Sequence, residues 1–139
     1  MTESLVAKSE RLLGDFFVAR GFECVGMSDD QSSGFGAAVD FENDTFRISI
    51  SRDRGFESIE IHAKARPRPR AHLRSWSMSH ILGFLDGGPD HADVATLEIA
   101  AAALIQRADE VLDVSMINSD EMSTWANIAS RRLLGQTPR

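Results

Sequence analysis

The 139-residue sequence has one cysteine, no tyrosine, four prolines and no long apolar run. Each scarcity removes a class of protein. A single thiol, Cys24, cannot close an intramolecular disulfide, so the fold must rest on an ordinary core and gains nothing from an oxidising compartment. The most apolar stretch, Ile99 to Ile105, falls far short of the roughly 20 residues that span a bilayer. Met1-Thr2-Glu3-Ser4 lacks the basic cluster and apolar segment of a secretion signal. The expectation is a cytoplasmic protein without a membrane segment.

Chemical signatures are equally scarce. His62, His72, His80 and His91 lack the i, i+4 pairing of a helical zinc site, so neither metal nor cofactor is expected. Asp90-His91-Ala92-Asp93 gathers potential ligands, but acids ahead of a helix are explained by capping and the helix dipole. Nucleophile-elbow, Walker and dinucleotide glycine patterns are missing, and Gly34-Phe35-Gly36 is only a fragment of one. Cys24 lies between Glu23 and Val25, where a carboxylate discourages thiolate formation, and reads as a buried structural cysteine. Asp40, Glu42, Asp53, Glu57 and Glu60 could in principle pair for hydrolysis, but read as a solvated sheet face. The expectation is a protein that is not an enzyme.

What is present is a folded-domain composition, 42% hydrophobic and 26% charged, in a chain long enough for one domain over 1–139. From Ser4 to Arg20, Leu5, Val6, Leu12, Leu13, Phe16 and Phe17 recur at helical spacing, and Gly21 supplies the stop. Phe22 to Met27 is β-prone and is followed by turn formers from Ser28 to Gly34. Alternation then runs through Ala37, Val39 and Phe41, through Phe46, Ile48 and Ile50, and through Ile59 and Ile61. A two-residue turn at Asn43-Asp44 opposes Val39 to Ile48 and Asp40 to Arg47. A four-residue turn at Arg52-Asp53-Arg54-Gly55 opposes Ile48 to Ile59 and Arg47 to Glu60, leaving Arg47 between two carboxylates.

Beyond the strands, Arg66-Pro67-Arg68-Pro69-Arg70 forbids helix and central strand. Trp76 to Leu85 then predicts a short helix stopped by Gly87-Gly88-Pro89. Ala92 to Asp113 predicts the longest helix, with Ile105 and Leu112 widening its apolar stripe. A last helix starts at an Asn118 cap and ends at Gly135. The fold class is α+β: an antiparallel four-stranded meander with an N-terminal helix and three C-terminal helices packed on it. Its predicted core comprises Leu12, Phe16, Val39, Phe41, Phe46, Ile48, Ile50, Ile59, Ile61, Leu97, Leu104 and Ile128.

Charge is distributed in blocks. Residues 86 to 121 carry nine acidic side chains against one basic, whereas 47 to 80 carry eight basic against three acidic. Asp86, Asp90, Asp93, Asp109, Glu110 and Asp113 are therefore candidates for docking a basic protein. Asp109, Glu110 and Asp113 are expected near the C-terminal end of the long helix, where they oppose its dipole. Arg66, Arg68 and Arg70 form the alternative, anion-binding site. The net charge of −6 and the lack of an aromatic residue within that block weigh against a nucleic-acid partner.

At Arg52-Asp53-Arg54-Gly55, Ile59-Glu60-Ile61, Trp76 and Ile81-Leu82-Gly83-Phe84-Leu85, within residues 40 to 86, the chain resembles small uncharacterised bacterial α+β proteins of the immunity-protein type. That resemblance implies binding of a protein partner rather than catalysis. The alternative is an adaptor or small-molecule binder with a pocket between sheet and helices.

Overall fold

The Oγ of Ser4 accepts a hydrogen bond from the N–H of Ala7, a cap that starts helix α1 (Leu5–Ala19). The computed structural model describes residues 3–30, 36–54, 56–64, 75–87 and 96–117. After α1 come strands β1 (Glu23–Asp30), β2 (Gly36–Glu42), β3 (Phe46–Asp53), β4 (Phe56–Ala63) and β5 (Ser75–Ser77), then helices α2 (Met78–Asp86), α3 (Leu97–Gln106) and α4 (Ala108–Ile117). The strands form one antiparallel sheet in the order β1-β2-β3-β4-β5. The α+β class is as expected, with five strands in place of four. No helix among the described residues is long and apolar enough to cross a membrane.

Alternation decides which sheet face meets the helices, because successive strand side chains point to opposite sides. Val39, Phe41, Phe46, Ile48, Ile50, Ile59 and Ile61 are all buried on one face, against α1, α3 and α4. Each fully buried aliphatic side chain contributes about 1.5 to 3 kcal/mol. On α1 the deeply buried positions are Leu5, Ser9, Leu13 and Phe17. The expected core residues Leu12 and Phe16 are only partly buried beside them. Phe17 stacks on Phe41 with ring centroids 4.1 Å apart, so the edge of the apolar stripe falls one residue later than expected. The buried hydroxyl of Ser9 is satisfied by donating to the carbonyl of Leu5 at 2.7 Å.

Both hairpin registers differ from expectation by two residues. Val39 pairs with Ile50 and Phe41 with Ile48, because the first turn is centred on Asp44-Thr45 rather than Asn43-Asp44. Asn43 holds it there. Its Oδ1 accepts from the N–H groups of Thr45 and Phe46, and its backbone N–H donates to the carbonyl of Phe46. In the second hairpin Ile48 pairs with Ile61 and Asp53 with Phe56, so the strands continue closer to the turn than expected. Arg54 adopts a positive φ of 53° to close it. A shift of two preserves the face of every side chain, which is why the expected core survives the slip.

Four further expectations are corrected. Trp76 lies in β5 rather than in a helix, and Ser77 caps α2 by accepting from the N–H of His80. β1 extends through Ser28, Asp29 and Asp30, which pair with Ala38, Ala37 and Gly36 instead of forming a loop. Cys24 is exposed, not buried, and lies on β1, one of the two outer strands of the described sheet. The single long helix is two: α3 starts at a Thr96 cap, and the backbone leaves helical geometry at Arg107 before α4 begins. The break turns α4 onto α2 and β4, a tertiary requirement that no glycine or proline between 97 and 117 announces. The predicted helix from Asn118, with Ile128, lies outside the described residues.

Candidate functional site

Glu57 follows the same alternation as Ile59 and Ile61 and therefore points into the helix-covered side of the sheet. It was expected on a solvated face, and the side chain is instead only 7% exposed. Lys8 of α1 donates to its Oε1 at 2.8 Å, and the backbone N–H of Leu97 donates to the same oxygen at 3.1 Å. The Arg52 guanidinium donates to Oε2 through Nε at 3.0 Å and lies 2.9 Å away through Nη2. Two donors on each oxygen use the roughly four acceptor sites of a carboxylate. Lys8 also contacts Glu98, in the first turn of α3, at 2.7 Å.

Burial pushes the Glu57 carboxyl pKa upward, but hydrogen bonds from Lys8, the Leu97 amide and Arg52 together outweigh it and hold the group below its ordinary value of 4.5. Lys8 is raised above its ordinary 10.5, chiefly by its bonds to Glu57 and Glu98, against burial. A carboxylate held below its ordinary pKa with its acceptor positions filled is a poor proton acceptor. The cluster is a clamp joining α1, the β3–β4 hairpin and the start of α3. Its sequence signal was the parity of residue 57 with 59 and 61; the cations that neutralise it sit far off in the chain or on the neighbouring strand.

The opposite face of the sheet is polar. Arg47 is exposed and its Nη2 lies 2.8 Å from Asp40 Oδ2, one half of the expected network. The other half is not formed as expected: Arg47 stands opposite Glu42 and His62, while Glu60 faces Ser49 and Ser77. Burial raises the pKa of Asp40, but hydrogen bonds from Ser49 and Arg47 bring it below its ordinary value. Ser51 and Ser58 hydrogen-bond across the strands at 2.9 Å.

The predicted docking carboxylates are distributed over the helix layer. Asp109 and Glu110 occupy the first turn of α4, not the end of a long helix, so the dipole favours them. Arg107 Nη1 lies 3.0 Å from Asp86 and its Nη2 3.2 Å from Glu110, tying α2 to α4. Arg20 reaches Asp109 at 3.3 Å. Asp113 is exposed one turn further along, and among the described residues no cation pairs with it. Asp90 and Asp93 lie outside the described residues, as do Arg66, Arg68 and Arg70 and the cluster around His91. Among the described residues no group of histidine, cysteine and acidic side chains is arranged to hold a metal ion.

Compared with known proteins, the chain matches no family model, no curated protein and no solved structure.

Proposed function

We propose that this chain is a non-enzymatic protein-binding domain, an immunity-type inhibitor that docks a basic toxin on the acidic exterior of its helix layer. The observation carrying the reading is the outer surface of α4, where Asp109, Glu110 and Asp113 are all exposed within two helical turns. The dipole accounts for the first two; Asp113 lies too far along the helix to benefit from it. Arg20 and Arg107 pair with Asp109, Glu110 and Asp86, which fixes those carboxylates in place and lowers their net field. Asp113 is therefore the centre of the docking surface, with Asp109 and Glu110 at its rim. The saturated Glu57 cluster supports a binding role, since the most buried carboxylate among the described residues is taken up by structural hydrogen bonds. In this reading the protein acts in the cytoplasm, where a chain with one cysteine needs no oxidising environment.

Capture with the immobilised chain, followed by association kinetics with the captured protein at two ionic strengths, tests the reading. The expected partner is basic, and Asp109→Asn, Glu110→Gln and Asp113→Asn combined slow its association at low salt, with less effect at high salt. Unchanged kinetics in that triple variant overturn the assignment of this surface.

A further inference from the structure

A helix on the surface of a domain ordinarily shows water a polar face. α3 does not. Its inner side buries Leu97, Ala100, Ala101 and Leu104. Its outer side, Glu98, Ile99, Ala102, Ile105 and Gln106, is exposed, with Ile99 45% and Ile105 50% accessible. The sequence pattern had placed Ile105 in the core stripe; the structure turns it outward. The apolar middle of that face, Ile99, Ala102 and Ile105, lies on the most hydrophobic segment of the chain and calls for a cover.

We propose that the cover is a second copy of this chain, paired through α3 in an antiparallel, two-fold arrangement centred on Ala102. The exposed residues are self-complementary about that point. Ile99 and Ile105 are each three positions from Ala102, so antiparallel pairing brings Ile99 of one copy level with Ile105 of the other. Glu98 and Gln106 are each four positions away, so each carboxylate comes level with an amide that can donate to it, and no like charges oppose one another. Glu98 is already held by Lys8, which fixes it for that contact. The small side chain of Ala102 sits at the crossing, where close approach of the helix axes is needed. A ten-residue helix is about 15 Å long, and such a face is smaller than the interface of a stable obligate dimer. The dimer is therefore a weak, concentration-dependent one.

The test uses the full chain carrying Cys24→Ser, which removes the exposed native thiol. Sedimentation velocity from low micromolar to about 1 mM is expected to show a monomer–dimer equilibrium. Ile99→Asp is expected to weaken it by about tenfold or more while leaving the melting temperature unchanged. Under mild oxidation, Ala102→Cys is expected to cross-link to itself. Ile99→Cys and Ile105→Cys are expected to cross-link when mixed, and far less when alone. Monomer at every concentration overturns the proposal, as does a dimer that Ala102→Cys fails to cross-link. A monomer whose melting temperature falls on Ile99→Asp also overturns it, and places the cover within the chain itself.

Discussion

The carboxylate of Glu57 on β4 accepts a hydrogen bond at 3.1 Å from the backbone N–H of Leu97, the first residue of α3. A strand side chain thereby satisfies one of the amide donors that every helix N-terminus leaves without an internal partner. Negative charge there also meets the positive end of the helix dipole. Thr96 caps the N–H of Ile99 in the same turn, so sheet and loop together set where α3 begins.

Replacing Glu57 by glutamine retains its shape and removes its charge, leaving Arg52 without its carboxylate partner and Lys8 with Glu98 alone. The expected loss is about 3 kcal/mol, the lower end of the range for breaking a buried ion pair, because both cations keep some access to water. Urea unfolding reads it as a lower midpoint at unchanged slope. A loss under about 0.5 kcal/mol means that the clamp does not hold α3 to the sheet.

The same cluster gives stability a defined pH dependence. Glu57 has a folded-state pKa below 4.5, so its contribution is present above that value and is lost as pH falls through the lower folded one. Lys8 is raised above 10.5, so its contribution is full below that value and is lost as pH rises through the higher folded one. Stability should plateau between these limits. In Glu57→Gln the acid limb of a pH series flattens; an unaltered limb would assign the acid sensitivity to other carboxylates.

On α1, adjacent leucines separate two readings of its buried face. Leu13→Ala is expected to cost about 2 to 5 kcal/mol and Leu12→Ala clearly less, because Leu13 is fully enclosed and Leu12 lies at the margin. Equal losses would mean that the helix is rotated toward the face suggested by periodicity alone.

Gly36 adopts a φ of 78°, and a Cβ there would run into the backbone carbonyl of Arg52 on β3. Gly36→Ala combines left-handed strain with a clash against backbone that cannot swing aside. A loss of more than about 1 kcal/mol in thermal or urea unfolding is expected. Wild-type stability in this variant would refute the close approach of β2 and β3 at that point.

The Asn43 side chain adds three hydrogen bonds at the first hairpin: Oδ1 takes two backbone N–H groups and Nδ2 donates to the carbonyl of Arg20 at 3.0 Å. Asn43→Ala is expected to cost about 1 to 3 kcal/mol, since the amides it leaves are part-buried. Hydrogen exchange should quicken first at Thr45 and Phe46.

The alternation through Val39 and Phe41, Ile48 and Ile50, and Ile59 and Ile61 determined by itself which residues line the core, because the two-residue period of a strand is a local property. It could not distinguish registers two residues apart, which present identical faces; the reach of Asn43 Oδ1 and the left-handed conformation of Arg54 chose between them. The glycine-terminated α1 was likewise legible, whereas the division of α3 from α4 was not, since Arg107 is an ordinary helix-forming residue until Asp86 and Glu110 converge on its side chain. Of the candidate docking residues, sequence supplied the acidic block, and only the fold showed that Arg20 and Arg107 partner part of it while Asp113 has no cation among the described residues. Glu57 marks the boundary most sharply: its parity was visible, but a charge among core positions is tolerated because Arg52 on the neighbouring strand, Lys8, 49 positions away, and Leu97, 40 positions away, meet it in three dimensions. Local periodicity is carried by neighbouring residues and can be read along the chain; register, helix breaks and charge compensation depend on contacts between distant residues, which exist only once the chain has folded.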